Sequence, residues 1–129
     1  MKKRCLLIAV ALVVVFGTVC FASASVDSAT VTVNRTSNTS CTATARAGFD
    51  GPKSFCSCTM TLQEKYSGGW RTATGVSKKT AYNSKTNTIS ILLSSKFTLI
   101  KGKVYRIKAR FVDKNGSTST SSNYYSSTF

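Results

Sequence analysis

The chain has 129 residues, with 18 Lys+Arg against 4 Asp+Glu, no histidine and one proline. Without histidine no Ser-His or Cys-His nucleophile pair can be assembled, and the commonest metal ligand is missing. A net charge of +14 points to weak, salt-sensitive attraction to polyanions, although it equally serves solubility and does not choose among anionic partners.

The N-terminus reads as a secretory leader. Lys2, Lys3 and Arg4 precede an apolar run from Leu6 to Phe16, and Ala22-Ser23-Ala24 supplies a small-x-small cleavage signature. Residues 1–24 are therefore expected to be a signal peptide, and the working protein is expected to start near Ser25 and act outside the cytoplasm. An uncleaved anchor is disfavoured by Gly17-Thr18, and a lipoprotein by Val19, which stands where a small residue is wanted before Cys20. No stable membrane insertion is expected after cleavage. Residues 25–129 then leave 105 residues, enough for a single domain; without Lys2, Lys3 and Arg4 the balance is 15 cations against 4 acids, or +11.

The remainder is rich in Ser and Thr, with β-branched and aromatic residues at intervals, and lacks an apolar period of 3.6. It reads as all-β. Ala29 to Val33 alternates and predicts a first strand, with a turn over Asn34 to Asn38. Ser40 to Ala47 alternates again, and Gly48-Phe49-Asp50-Gly51-Pro52 reads as a loop. A third strand is predicted from Phe55 to Tyr66, with Cys56, Cys58, Met60 and Leu62 on one face and Gln63 and Lys65 on the other. Ser67-Gly68-Gly69 marks a hairpin, and Trp70 to Val76 the returning strand. Ser77 to Asn87 reads as a polar connection, after which Ile89, Ile91 and Leu93 predict a core face. In the last third, Tyr105, Ile107, Ala109 and Phe111 alternate with Arg106, Lys108 and Arg110, so one face is apolar and the other cationic. Asn115-Gly116 is a hairpin signal, and Ser117 to Phe129 the final strand.

Seven short strands with turns between them suggest a seven-stranded antiparallel β-sandwich of immunoglobulin or fibronectin III type. Leu99-Ile100-Lys101-Gly102-Lys103-Val104-Tyr105 resembles the tyrosine corner of those folds, without the proline often found in the turn. The succession Thr59-Met60-Thr61-Leu62-Gln63-Glu64-Lys65, Gly68-Gly69-Trp70 and Lys101-Gly102-Lys103-Val104-Tyr105-Arg106-Ile107-Lys108-Ala109 is similar to a family of small secreted proteins of Gram-positive bacteria. That resemblance spans roughly Cys41 to Ser122; it implies fold and localisation but no activity, and the cysteine cluster departs from it.

Three cysteines follow the leader: Cys41, Cys56 and Cys58. Outside the cell, a disulfide from Cys41 to Cys56 or Cys58 is the expectation, leaving an odd thiol able to join two chains. Reduced core thiols are the alternative; a zinc site lacks its fourth ligand. No cofactor, metal or catalytic residue is expected, since the acids Asp27, Asp50, Glu64 and Asp113 are spread along the chain. The candidate ligand-binding residues are Lys65, Trp70, Arg106, Lys108 and Arg110: a Trp on the cationic face would stack on a sugar ring while cations hold an anionic group, whereas a hairpin bulge would turn Trp70 inward. The functional expectation is a non-catalytic module associating with anionic polymers or glycans at a cell surface, touching nucleic acid only non-specifically. The alternative is a diffusible, bacteriocin-like cationic effector, which needs an apolar patch beside the charge.

Overall fold

The computed structural model describes residues 19–20 and 25–129. The leader expected over residues 1–24 therefore lies outside the described residues, apart from the backbone of Val19 and Cys20. The chain is all-β. Its strands are β1 (Val19–Cys20), β2 (Val26–Ser37), β3 (Ser40–Tyr66), β4 (Gly69–Thr72), β5 (Thr80–Thr98), β6 (Tyr105–Asn115) and β7 (Thr118–Tyr125). All pairings are antiparallel, and they form one curled sheet in the order β1-β7-β6-β3-β2, with β4 and β5 also on β3.

The 27-residue β3 organises the sheet. Its first half pairs with β2 on one side (Ala47 opposite Ala29, Ala45 opposite Val31) and with the second half of β5 on the other (Ala45 opposite Leu93). Its second half pairs with β6 (Leu62 opposite Ile107) and with the first half of β5 (Met60 opposite Ala81). Between them the register with β5 shifts from Gly48 to Lys53. The expected loop at 48–52 is therefore a bend inside a continuous strand. Gly48 and Gly51 are not among the glycines with positive φ, so this segment stays extended rather than turning back. Lys53 secures the bend, reaching Asp50 at 2.8 Å and Asp113 at 3.8 Å.

The other main correction concerns β5. Thr80 to Asn87 is strand rather than connection, because it lies along residues 53–61 of β3; its polar sequence reflects largely solvated side chains. Ile91 and Leu93 enter the core as expected, but Ile89 is 57% exposed. Ile89 sits where β5 passes from one half of β3 to the other, next to the shift in register and two residues after Asn87 at φ 49°. At that crossing the alternation that buries its neighbours is broken.

Buried side chains from β2, both halves of β3, β5, β6 and β7 meet in a cluster that includes Val31, Phe97, Leu62, Ile107, Phe111 and Tyr124. Alternation on β6 is as expected: Tyr105, Ile107, Ala109 and Phe111 are buried, and Arg106, Lys108 and Arg110 face out. The turn after β6 uses Gly116 at φ 66°, with Asn115 opposite Thr118. Before β6, the Ile100–Lys103 turn is closed by the Lys103 N–H donating to the Ile100 carbonyl at 3.3 Å. Gly102 supplies φ 89° there, the conformation that a turn of this type needs at its third position, and Lys101 stands where proline is common. The Ile100 N–H donates to the hydroxyl of fully buried Tyr105 at 2.9 Å, which is the hydrogen bond that a tyrosine corner makes. Phe129 exchanges two backbone hydrogen bonds with Tyr105 and stacks on its ring at 6.1 Å.

Tyr105→Phe removes the acceptor of the half-buried Ile100 N–H while keeping the ring. It is expected to lower unfolding free energy by about 1–2 kcal/mol in urea titration with an unchanged m-value; an unaltered midpoint would show that the corner contributes nothing.

Candidate ligand-binding face

The outward face of β3, β4, β6 and β7 is assembled by ladder register. Residues directly opposite one another in an antiparallel pair share a face. One row places Thr72, Gln63 and Arg106 side by side; the next holds Thr61, Lys108 and Tyr125; a third holds Thr59, Arg110 and Asn123. Lys65 lies opposite Trp70 across the hairpin, whose two turn residues are Ser67 and Gly68. The plain turn, rather than a bulge, thus keeps Trp70 on the same face as Lys65 and Gln63. All five candidate residues, Lys65, Trp70, Arg106, Lys108 and Arg110, stand on this one face.

Their roles differ once the contacts are traced. The Arg106 guanidinium lies between two rings, 4.5 Å from the centroid of Trp70 and 4.2 Å from that of Tyr125. Its Nε donates to the Gln63 side-chain oxygen at 2.8 Å. Burial pushes its pKa below the ordinary range, opposed by neighbouring Tyr125, and a guanidinium remains charged through such a shift. Arg106 thus holds two aromatic rings upright against the sheet. Lys65 and Arg110 are exposed and Lys108 is half-buried, so these three present their charges outward. Tyr125, from the final strand, joins this face although it is not among the five candidates. Its signal was parity: Tyr124 is fully buried and its neighbour must point the other way.

The hairpin carrying Trp70 is fixed from the opposite side of the strand by Glu64. This carboxylate is 1% exposed and accepts from the Thr74 N–H at 2.7 Å, from Arg71 Nε at 3.0 Å and Nη2 at 2.8 Å, and from Lys103 Nζ at 3.2 Å. The Thr74 N–H is the largest of the effects that hold its pKa down to about 2; burial opposes it, and Arg71, Lys103 and the Thr74 hydroxyl reinforce it. A carboxylate so saturated with donors ties β3 to β4, to the segment after it and to the Gly102 turn. It is poorly suited to proton transfer near neutral pH. Asp113, the acid at the other end of the β3–β6 ladder, lies opposite Cys56, whereas Glu64 lies opposite Tyr105. Eight residues of β6 separate those positions, about 26 Å at strand spacing and far beyond a paired-carboxylate geometry.

The expected disulfide is not formed. Cys41, Cys56 and Cys58 are free, buried thiols. Across its ladders Cys41 faces Arg35 and Phe97, Cys56 faces Lys85 and Asp113, and Cys58 faces Asn83 and Phe111, so no two of them are ladder partners. Cys56 and Cys58 sit two apart on one strand with parallel Cβ vectors, a geometry that does not close a bridge. They act as small apolar residues of the core. Burial pushes all three pKa values up, that of Cys58 to about 12 with a further push from Cys56, so none offers a thiolate. Among the described residues no group of three or more potential metal ligands gathers.

Comparison with family models, with curated proteins and with solved structures returns no match.

Two outcomes follow from this chemistry. Glu64→Gln is expected to cost about 2 kcal/mol at pH 7, because it removes a buried charge and leaves its donors with a weaker acceptor. Since the Glu64 pKa is lowered on folding, its contribution is full above the ordinary carboxylate pKa and fades as pH falls towards about 2. Wild-type stability should therefore fall more steeply than that of Glu64→Gln below about pH 4.5, as urea titrations across the acid range would reveal. Separately, native protein treated with iodoacetamide should resist modification at Cys41, Cys56 and Cys58, and all three should alkylate after denaturation without reductant. Modification of only one of them would demonstrate a bridge.

Proposed function

We propose that this protein is a secreted, non-catalytic β-sandwich that associates with anionic polymers or glycans at a cell surface. The observation that carries the reading is the face built by Lys65, Trp70, Arg106, Lys108 and Arg110, where three outward cations share one surface with two aromatic rings braced by a fourth. The rings are suited to stacking on sugar faces, and the cations to phosphate or carboxylate groups spaced along a polymer. Threonines 59 and 61 and Asn123 add hydrogen-bonding groups among the charges.

The fold is proposed to be of immunoglobulin or fibronectin III type. In support, β2, the first half of β3 and the second half of β5 form one antiparallel group, while the first half of β5, the second half of β3, β6 and β7 form another. The Tyr105 hydroxyl contact with Ile100 is the corner expected of such domains. Membership of the Gram-positive secreted family is proposed on the motifs around Thr59–Lys65 and Lys101–Ala109.

The test is retention of the protein on immobilised teichoic acid and on a neutral glycan. Wild-type protein should be retained on the first alone, with affinity falling steeply as salt is raised. The triple variant Lys65→Glu, Lys108→Glu, Arg110→Glu should lose more than about tenfold in affinity, because like charges then meet. Arg106 is left intact so that Trp70 and Tyr125 keep their bracing. Unchanged retention of the triple variant would overturn the reading, and dye leakage from anionic vesicles would favour the membrane-active alternative instead.

A further inference from the structure

In a chain with only four acids, the carboxylate of one, Asp113, and the backbone of another, Asp50, meet Ser25. Ser25 is 6% exposed, and its hydroxyl donates to Asp113 Oδ1 at 2.9 Å and meets the Thr120 hydroxyl at 2.7 Å. Thr120 also donates to Asp113 Oδ1 at 2.8 Å. The Asp50 N–H donates to the Ser25 carbonyl at 2.9 Å, and Lys53 bridges the two acids. Asp113 is 3% exposed. Among the described residues two carboxylates, buried Asp113 and the more exposed Asp50, share one ammonium, which leaves the group one negative charge in excess; for the buried Asp113 that costs free energy unless another cation joins it.

Ser25 is also the residue that follows Ala22-Ser23-Ala24, the small-x-small sequence at the end of the leader. Hydrolysis of the Ala24–Ser25 peptide bond adds one water across it. It leaves a carboxylate on Ala24 and an amine on Ser25, which takes up a proton to become an ammonium. Within one residue the backbone nitrogen lies only about 3 Å from the side-chain hydroxyl, so the new charge would sit within about 6 Å of the Asp113 carboxylate.

We propose that cleavage by a signal peptidase between Ala24 and Ser25 creates the missing cation of this group, so that the new N-terminal ammonium docks against Asp113 and Asp50. This inference rests on the secreted reading above. It makes maturation a stabilising event: the covalent step that releases the leader also neutralises the group that fastens β2 to the bend of β3, to β6 and to β7. The charged and titratable groups around the new terminus are Asp27 on β2, Asp50 and Lys53 on β3, Cys56 opposite Asp113, and Asp113 itself on β6, with the Thr120 hydroxyl from β7.

The experiment uses the full chain with its own leader, expressed in a secreting Gram-positive host. Protein from the medium is subjected to N-terminal sequencing. Its α-amine is then titrated by NMR after reductive methylation with labelled formaldehyde, which separates α-amines from lysine amines. The expected result is a chain beginning at Ser25 whose α-amine titrates above the ordinary range of about 7.7–8.0, since neighbouring carboxylates favour its charged form. The pKa should fall back in Asp113→Asn, or in Asp50→Asn if the first variant does not accumulate. A secreted chain beginning at another residue, or an α-amine that titrates in the ordinary range, overturns this inference while leaving secretion intact. A cell-retained chain with its leader uncut overturns both.

Discussion

The outward position of the cationic face depends on how β3 negotiates its bend. Before the bend the buried side chains of β3 are odd-numbered, Cys41, Ala43, Ala45, Ala47 and Phe49; after it the core side chains are even-numbered, Cys56, Cys58, Met60, Leu62 and Glu64, with the small polar Ser57 covered between them. A strand keeps its parity unless residues are inserted into the ladder, and a slip of one residue exchanges the two faces. The shift in register between Gly48 and Lys53 takes five residues of β3 against two of β5, an odd excess that changes the parity in the same way. Without it, Thr59, Thr61, Gln63 and Lys65 would point into the core and Leu62 into water. The bend therefore decides which side of the second half meets solvent, and β6 takes its register from that half. Asp50, Lys53, Asp113 and Ser25 gather at the bend, so the polar chemistry that fastens it also fixes the parity of everything downstream.

The two buried carboxylates divide the labour along β3 and β6. Asp113 works at the bend end and Glu64 at the hairpin end, each holding strands together through charge-assisted hydrogen bonds stronger than neutral ones. In a chain so rich in Lys and Arg, these acids are scarce, and both are spent inside. The outer face consequently keeps its positive sign. Arg106 then converts part of that charge into architecture: seated between Trp70 and Tyr125, it is shielded and structural, whereas Lys65, Lys108 and Arg110 remain available to a partner. A polymer meeting this face would find aromatic surface at one end and a line of cations leading away along β6.

Much of this was legible in the sequence, where one pattern at a time sufficed. The alternation of Tyr105 to Phe111 with Arg106 to Arg110 assigned both faces of β6, and Leu99 to Tyr105 announced the corner that the Tyr105 hydroxyl makes. The direction of Trp70 stays open in the sequence between a plain turn and a bulge, and only the register of the hairpin, with Ser67 and Gly68 as its turn, decides it. What sequence patterns missed were features set by tertiary context. Gly48, Gly51 and Pro52 look like loop residues, but none of them needs to leave extended conformation, and pairing on both sides keeps the strand running. Thr80 to Asn87 lacks an apolar face because it is mostly solvated, so its membership of the sheet has no hydrophobic signature. Three cysteines after a leader suggested a bridge from compartment alone, whereas bridging needs facing Cβ atoms, which the ladder does not supply. The stacking of Arg106 depends on Tyr125, a residue from a strand that no local pattern links to Trp70.

The central claim is that an anionic polymer lies across the outer face of β3, β6 and β7. The most direct measurement is an NMR titration of the isotope-labelled protein with a short teichoic acid fragment, reading backbone amides and the Trp70 indole at low salt. The account predicts shifts concentrated at Thr59 to Lys65, Trp70, Arg106 to Arg110 and Tyr125, fading as salt is added. Shifts centred instead on β2 and the second half of β5, or spread evenly over every lysine, would contradict it.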